Sequence, residues 1–290
     1  MSNHFSAKKF FQQILLSITV YEPNEQRAVV FLIFEKLLDI SRSDILTDKL
    51  IPQLSDEKLE MLASLIEQLN QHVPVQYLLK EADFFGHIFY VDSRVLIPRQ
   101  ETEELVACII QEGEKSAPIT ILDICTGSGC IAISLAKALP NAEVSAVDIC
   151  EGALAVAKQN AEGNNTSVKF YKEDILAPLS TTLLGKQYNI IVSNPPYVTV
   201  DEKNLMAANV LNNEPHLALF VSNEMPLIFY NSILNHAQKL LKTAGKIYFE
   251  INEQYGIEVA QLMKEKGFGN IRIIKDLSNK DRMAVGVWNR

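Results

Sequence analysis

ITILDICTGSGCIAISLAKAL, residues 119–139, decides how the chain folds. Ile119–Ile124 is a short apolar run, suited to a strand buried on both faces. Two glycines, Gly127 and Gly129, follow at once, and residues 129–139 then carry apolar positions at helical spacing. A strand, a glycine turn and a helix in that order place backbone N–H groups at a helix N-terminus, where a ligand can approach closely. The spacing is close to G-x-G-x-x-G, with Ala132 at the third glycine position. The loop Cys125, Thr126, Gly127, Ser128, Gly129 is therefore a candidate cofactor cradle that does not by itself choose between cofactors.

Downstream, strands and helices alternate. Strands are expected at 143–147, 168–171, 188–193 and 246–251, with two more closing the chain, and helices at 152–162, 226–242 and 256–266. This pattern implies a doubly wound, mostly parallel sheet that binds ligands at the carboxyl ends of its strands. Asp148 ends the second strand, where a carboxylate can accept two ribose hydroxyls; NAD sites share that arrangement. Asp174 follows the third strand, where it can accept an adenine amino group. Asp123, closing the first strand, can neutralise an ammonium. An acidic, phosphate-free lining suits S-adenosyl-L-methionine, with its ammonium and sulfonium, better than a pyrophosphate.

Asn194-Pro195-Pro196-Tyr197 directly follows the apolar run YNIIVS. An amide nitrogen is a poor nucleophile because its lone pair is delocalised into the carbonyl. The Asn194 side-chain oxygen and the Pro195 carbonyl can each accept one N–H of a substrate NH2 group, which aligns the nitrogen and stabilises the positive charge that grows on it. The prolines hold the loop rigid, and Tyr197 can stack on a planar amide or base. The pattern points to nitrogen methylation, with proximity and orientation doing most of the catalysis.

Upstream, residues 1 to about 72 read as helical. Apolar positions recur at Phe10, Phe11, Ile14, Leu15 and Ile18, at Val29, Val30, Ile33, Phe34, Leu37 and Leu38, and after Ser55 at Leu59, Leu62, Leu65, Ile66 and Leu69. Val73-Pro74-Val75 interrupts that pattern. A β-hairpin is expected next, with Phe85, His87, Phe89, Val91 and Ser93 on one face, Gly86 as turn or bulge, and Pro98 closing the strand. A helix begins after Glu101.

The net charge of −8 argues against broad wrapping of nucleic acid. Residues 1–93 hold 8 Lys+Arg against 13 Asp+Glu, and the remainder 19 against 22, so neither part is basic. The four cysteines, Cys108, Cys125, Cys130 and Cys150, form no C-x-x-C pair and suit reduced thiols in a cytoplasmic protein rather than a zinc site. No apolar run is long enough for a membrane span, and the N-terminus lacks a signal-peptide core.

Taken together, PVQYLLKEADFFGHIFYVDSRVLIPRQETEELV, LDICTGSGCIAISLAK, VSNPPYV, EPHLALF and KDLSNKDRMAVG resemble the HemK/PrmC family, the N5-glutamine methyltransferases of peptide chain release factors. The stretch LIPRQETE at 96–103 is more specific to that family than Asn-Pro-Pro-Tyr, which adenine and guanine N-methyltransferases share. The resemblance implies an α/β class I (Rossmann-like) methyltransferase domain with a seven-stranded sheet over 98–290. It also implies a small all-α N-terminal domain over 1–73 that helps dock the release factor, and a β-hairpin linker over 74–97. By the same resemblance Cys125–Gly129, Asp148, Asp174 with Ile175, and Asn194 contact S-adenosyl-L-methionine, with S-adenosyl-L-homocysteine as product. Asn194–Tyr197, including Pro196, would hold the glutamine of a Gly-Gly-Gln loop in a class 1 release factor. Arg99, Glu101 and Glu103 would lie near the site entrance, and Glu214 would tie down the loop above it. Neither direct nucleic-acid binding nor a membrane is expected.

Some positions depart from the family pattern. Cys125 stands where glycine is common, a change that is tolerable if its backbone stays at φ < 0. Ile175 stands where an aromatic often follows the acid. Val221-Ser222-Asn223 replaces glycines, and Asn279 replaces a glycine but tolerates the left-handed region. Three rival functions fit parts of the sequence. A base N-methyltransferase is disfavoured by the charge balance. An NAD(P) oxidoreductase leaves Asn-Pro-Pro-Tyr unexplained, and a silent binding module is excluded by a single turnover.

Overall fold

Ile119–Ile124 forms a strand, here β1, whose last four residues are buried. The structure, a computed structural model, describes residues 4–113 and 118–289; the first three residues of the N-terminus read above for a signal lie outside them. β2 (Ala142–Asp148), β3 (Val168–Lys172), β4 (Tyr188–Ser193), β5 (Leu241–Glu250), β6 (Phe268–Lys275) and β7 (Asp281–Trp288) complete the sheet. Their order is β6-β7-β5-β4-β1-β2-β3. All neighbours from β5 to β3 run parallel, and β7 is antiparallel to both β5 and β6. The expected doubly wound sheet of seven strands is what forms.

Among the described residues, five helices cover the sheet: α1 (Gln100–Glu112), α2 (Cys130–Ala138), α3 (Glu151–Gly163), α4 (Ile228–Leu240) and α5 (Gly256–Glu265). One apolar cluster joins Tyr230, Ile233 and Leu234 of α4 and Val259 and Met263 of α5 to Leu122, Ile191, Ile247 and Phe249. The other joins Leu105, Val106 and Ile109 of α1 and the first turns of α2 to Ile121, Val192 and Tyr248. Burying both faces is what demands the continuous apolar runs. The strand order reverses at β1, which has β2 on one side and β4 on the other. That reversal opens a crevice beyond the carboxyl ends of β1 and β4. Ser193 Oγ donates to the Ile124 carbonyl across this point at 2.6 Å, fixing the two strand ends together.

The chain divides into two compact units, Met1–Glu81 with Ala207–Asn213, and Ala82–Met206 with Glu214–Arg290. The first contains helices Ala7–Ser17, Pro23–Lys36, Arg42–Leu46, Asp56–Asn70 and Val75–Leu79 around Phe11, Ile33, Phe34, Leu65 and Leu69. Ser55 caps its helix by accepting the Lys58 N–H. This unit is not wholly helical, as the sequence suggested. His4–Ser6 pairs antiparallel with Leu50–Pro52, burying Ile51 between exposed neighbours. Three-residue strands are too short to show a period of two in sequence.

The hairpin is shorter than expected. Ala82–Phe84 pairs with His87–Phe89, and Phe85 (φ 50°) with Gly86 (φ 74°) makes the two-residue turn that right-twisted strands favour. Phe85 is therefore a turn residue, and no strand runs on to Pro98. Asn279 does adopt the left-handed region, at φ 63°. No helix among the described residues is long and apolar enough to cross a membrane.

Candidate active site

The crevice at the strand reversal is lined by the loop Cys125–Ser128, by Asp148, by Glu173–Leu176, by Asn194 and Pro196, and by Arg94, Arg99 and Thr102. Gly127 (φ 55°) and Gly129 (φ 82°) turn the chain from β1 into α2. A Cβ at Gly129 would lie 3.0 Å from Ile133 Cδ1 and 3.1 Å from Ala157 Cβ, whereas one at Gly127 would meet open space. The second glycine thus lets α2 and α3 pack, and the first leaves the crevice clear. Cys125 sits at φ 62°, so the condition of a negative φ, under which its replacement of glycine is tolerable, is not met. The close turn between β1 and Gly127 requires that geometry, which is why glycine suits the position.

Two side chains brace this loop, Asn160, which sequence did not single out, and Thr126 of the loop itself. Asn160 of α3 donates to the Ser128 carbonyl (2.9 Å) and to the Tyr90 carbonyl (3.0 Å), and accepts the Tyr90 N–H (2.6 Å). The Thr126 hydroxyl donates to Asp123 Oδ2 at 2.5 Å. Asp123 is fully buried, is absent from the crevice wall, and has no partner on Oδ1. Burial pushes its carboxyl up to about 7, against the pull of the Thr126 hydroxyl and the Ala132 N–H. The expected ammonium partner therefore lies beneath the loop it supports. Burial also raises both thiols there, Cys130 to about 12, so neither supplies a thiolate near neutral pH.

Asp148 accepts the Gly127 N–H on one oxygen and the Cys150 N–H on the other, each at 2.9 Å. Those bonds aim the carboxylate while leaving lone pairs for hydroxyl donors. Glu173 turns toward Ser180, accepting its N–H and hydroxyl. Asp174 accepts the Leu176 N–H and is exposed, and Ile175 beside it is buried. Both cations at the rim are already paired, Arg94 with Asp92 and Arg99 with Glu214, each at 2.6 Å. Among the described residues the crevice has several acids and no spare cation, which fits a cationic ligand better than a phosphate.

Asn194 and Pro196 line the crevice, whereas Pro195 and Tyr197 do not. The Tyr197 hydroxyl donates to Glu250 Oε1 at 3.1 Å, and its ring packs against the α4–α5 cluster. Thr102 in α1 donates to Glu250 Oε2 at 2.6 Å, and Asn194 Nδ2 donates to Thr102 Oγ1 at 3.3 Å. Glu250, the last residue of β5, is buried; burial raises its carboxyl above the ordinary value, opposed by the two hydroxyls and Arg282. Neither Thr102 nor Glu250 carried a sequence signal of its own.

Of the expected entrance residues, only Arg99 lines the crevice. Glu214 is buried, accepting the Ile97 N–H (3.2 Å) as well as Arg99. Glu101 is exposed in the first turn of α1. Glu103 accepts the Phe85 N–H at 2.7 Å and so holds the hairpin turn.

Residues 102–228 match the family model described as the methyltransferase small domain, and residues 19–79 match the PrmC N-terminal domain. The chain is 45% identical to a release factor glutamine methyltransferase of Bacteroides thetaiotaomicron, over 92% of this chain and 94% of that one. It is 43% identical to a protein of the same name from Flavobacterium psychrophilum, over 94% and 95%. Among solved structures, a methyltransferase from Pyrococcus furiosus shares the fold, with a TM-score of 0.52 and 17% identity over 71% of this chain and 91% of that one.

Proposed function

Because the chain belongs to the family of release factor glutamine methyltransferases, we propose that its crevice methylates the side-chain amide nitrogen of the glutamine in a release factor's Gly-Gly-Gln motif. S-adenosyl-L-methionine, when bound, supplies the methyl group on an electrophilic sulfonium. Cys125–Ser128 and Asp148 would hold its amino-acid and ribose parts, and Asp174 and Ile175 its adenine. The observation that carries the proposal is the placing of Asn194 on the crevice wall, at the end of β4 and beside the glycine loop. From there its side-chain oxygen can accept one N–H of the substrate amide. The carbonyl of Pro195, a residue off the crevice wall, is the acceptor proposed for the other, and Pro195-Pro196 keeps both preorganised. The proton leaves after transfer, so the motif needs no general base. The first unit, whose sequence matches the PrmC N-terminal domain, is the docking surface for a class 1 release factor in this proposal.

Incubation with methyl-labelled S-adenosyl-L-methionine tests it. A release factor should take label, and its Gly-Gly-Gln→Gly-Gly-Ala variant, DNA and tRNA should not. Label on nucleic acid and none on the factor overturns the proposal. Asn194→Ala should retain cofactor affinity while turnover falls by about a hundredfold or more, the scale of losing one preorganised group.

A further inference from the structure

Asn194 can act as an acceptor only if its amide presents oxygen, not NH2, to the substrate. An unconstrained asparagine amide can rotate between the two, and the wrong rotamer would aim donors at a donor. In this chain the choice is made by hydrogen bonds outside the motif. Glu250 faces a hydroxyl on each oxygen, Thr102 and Tyr197, and Arg282 also favours its ionised form against burial; as a carboxylate it accepts from both. Thr102 has one hydroxyl proton, and the 2.6 Å contact assigns it to Glu250 Oε2. Thr102 Oγ1 is therefore an acceptor on its remaining side, and the group it meets at 3.3 Å must be the Asn194 NH2. The opposite rotamer would set Asn194 Oδ1 against an oxygen with no proton to give.

We propose that Thr102 and Glu250 are positioning residues forming a directional relay, Asn194 Nδ2 to Thr102 Oγ1 to Glu250 Oε2, that locks the Asn194 oxygen toward the acceptor amide. The relay rests on the functional proposal above for the identity of that amide. Tyr197 fits the same design. Its hydroxyl gives its proton to the other Glu250 oxygen, so both carboxylate oxygens are committed to residues that flank the acceptor site. Tyr230 anchors the same residue from the far side, donating to the Glu250 backbone carbonyl at 3.1 Å. Arg282 and Glu101 are the charged groups that act on Glu250 from other elements, with opposite sign.

The test compares Thr102→Val, Thr102→Ser and Glu250→Gln in the full-length protein. Kinetics on a release factor give kcat, and calorimetry gives cofactor Kd. Thr102→Val should lower kcat about tenfold to a hundredfold with cofactor Kd within about threefold, and Thr102→Ser should restore kcat to within about threefold. Glu250→Gln, which can reverse the relay by offering NH2 to Thr102, should lower kcat at least about tenfold; it decides the matter if Thr102→Val does not fold. A normal kcat in Thr102→Val, or an equal loss in Thr102→Ser, overturns the relay. A direct readout needs no acceptor at all. The Asn194 side-chain NH2 signal in a 15N spectrum, assigned by its loss in Asn194→Ala, should shift in Thr102→Val and return in Thr102→Ser. An unmoved signal overturns the relay even if the release factor proves not to be the substrate, whereas a wild type that leaves the factor unlabelled rejects only the functional proposal.

Discussion

Replacing Asp123 by asparagine should flatten a pH dependence of stability that the wild-type protein carries. Asp123 is fully buried, and its carboxyl is pushed up from 3.8 to about 7 by loss of solvent. In the unfolded chain it ionises near its ordinary value. Between those two values the native state holds a proton that the unfolded state has already released. Stability is therefore full below about pH 4 and falls as pH rises through about 7. A shift of about three units at about 1.4 kcal/mol per unit sets the loss at about 4 kcal/mol. Asparagine keeps the shape and still accepts the Thr126 hydroxyl and the Ala132 N–H, but it does not titrate. Its NH2 would occupy the place of the unpartnered Oδ1, a cost of about 1–3 kcal/mol that does not change with pH. Urea unfolding of the cofactor-free proteins at several pH values from 4 to 8 reads the effect. Subtracting the variant's unfolding free energy from that of wild type removes the carboxylates common to both, such as Asp92, held at about 2 by Arg94. The difference should fall by about 4 kcal/mol across that range, with the variant the more stable at the top. A difference flat to within about 1 kcal/mol would show that Asp123 ionises as freely in the fold as in water.

Two further predictions concern the frame around the crevice. Gly129→Ala should destabilise by about 1–3 kcal/mol and weaken cofactor binding, because its Cβ meets Ile133 and Ala157. Gly127→Ala, with open space around it, should cost only about 1 kcal/mol for its positive φ; thermal unfolding of the pair reads the order. Glu214→Ala should cost about 2–3 kcal/mol by freeing Arg99 and the Ile97 N–H together. Glu214→Gln keeps an acceptor and should fall between Ala and wild type in the same melt.

The sheet was legible because a strand buried on both faces leaves a run that little else explains. Ile119–Ile124 and Tyr188–Ser193 have the bounds expected of them, and the remaining strands differ from expectation mainly at their ends. β5 is the largest such case. It reaches back to Leu241 through a register shift before Lys246, and Ala244 and Gly245, which lie within that shift, look like an ordinary turn in sequence. His4–Ser6 and Leu50–Pro52 escaped for a related reason, being short and separated by three helices. The hairpin turn was half seen. Gly86 announces a positive φ, but nothing in Phe85 says that it shares the turn.

In the site, local sequence showed where ligands meet the backbone and hid what holds the ligating groups. Asp123 looks like a ligand because it ends a strand beside a glycine loop, yet its side chain points to Thr126, and only burial separates those roles. Thr102 lies inside LIPRQETE, a stretch noticed for its charges, while the hydroxyl between two acids is the group that reaches Asn194. Asn194 and Thr102 are 92 residues apart, and Thr102 and Glu250 are 148 apart. They meet because β4 and β5 are parallel neighbours, which brings Asn194 and Glu250 to the same edge of the sheet beside the first turn of α1. A motif of four residues can name the atoms that touch a substrate. The direction in which its amide points is set by the sheet order, and the sheet order is a property of the whole chain.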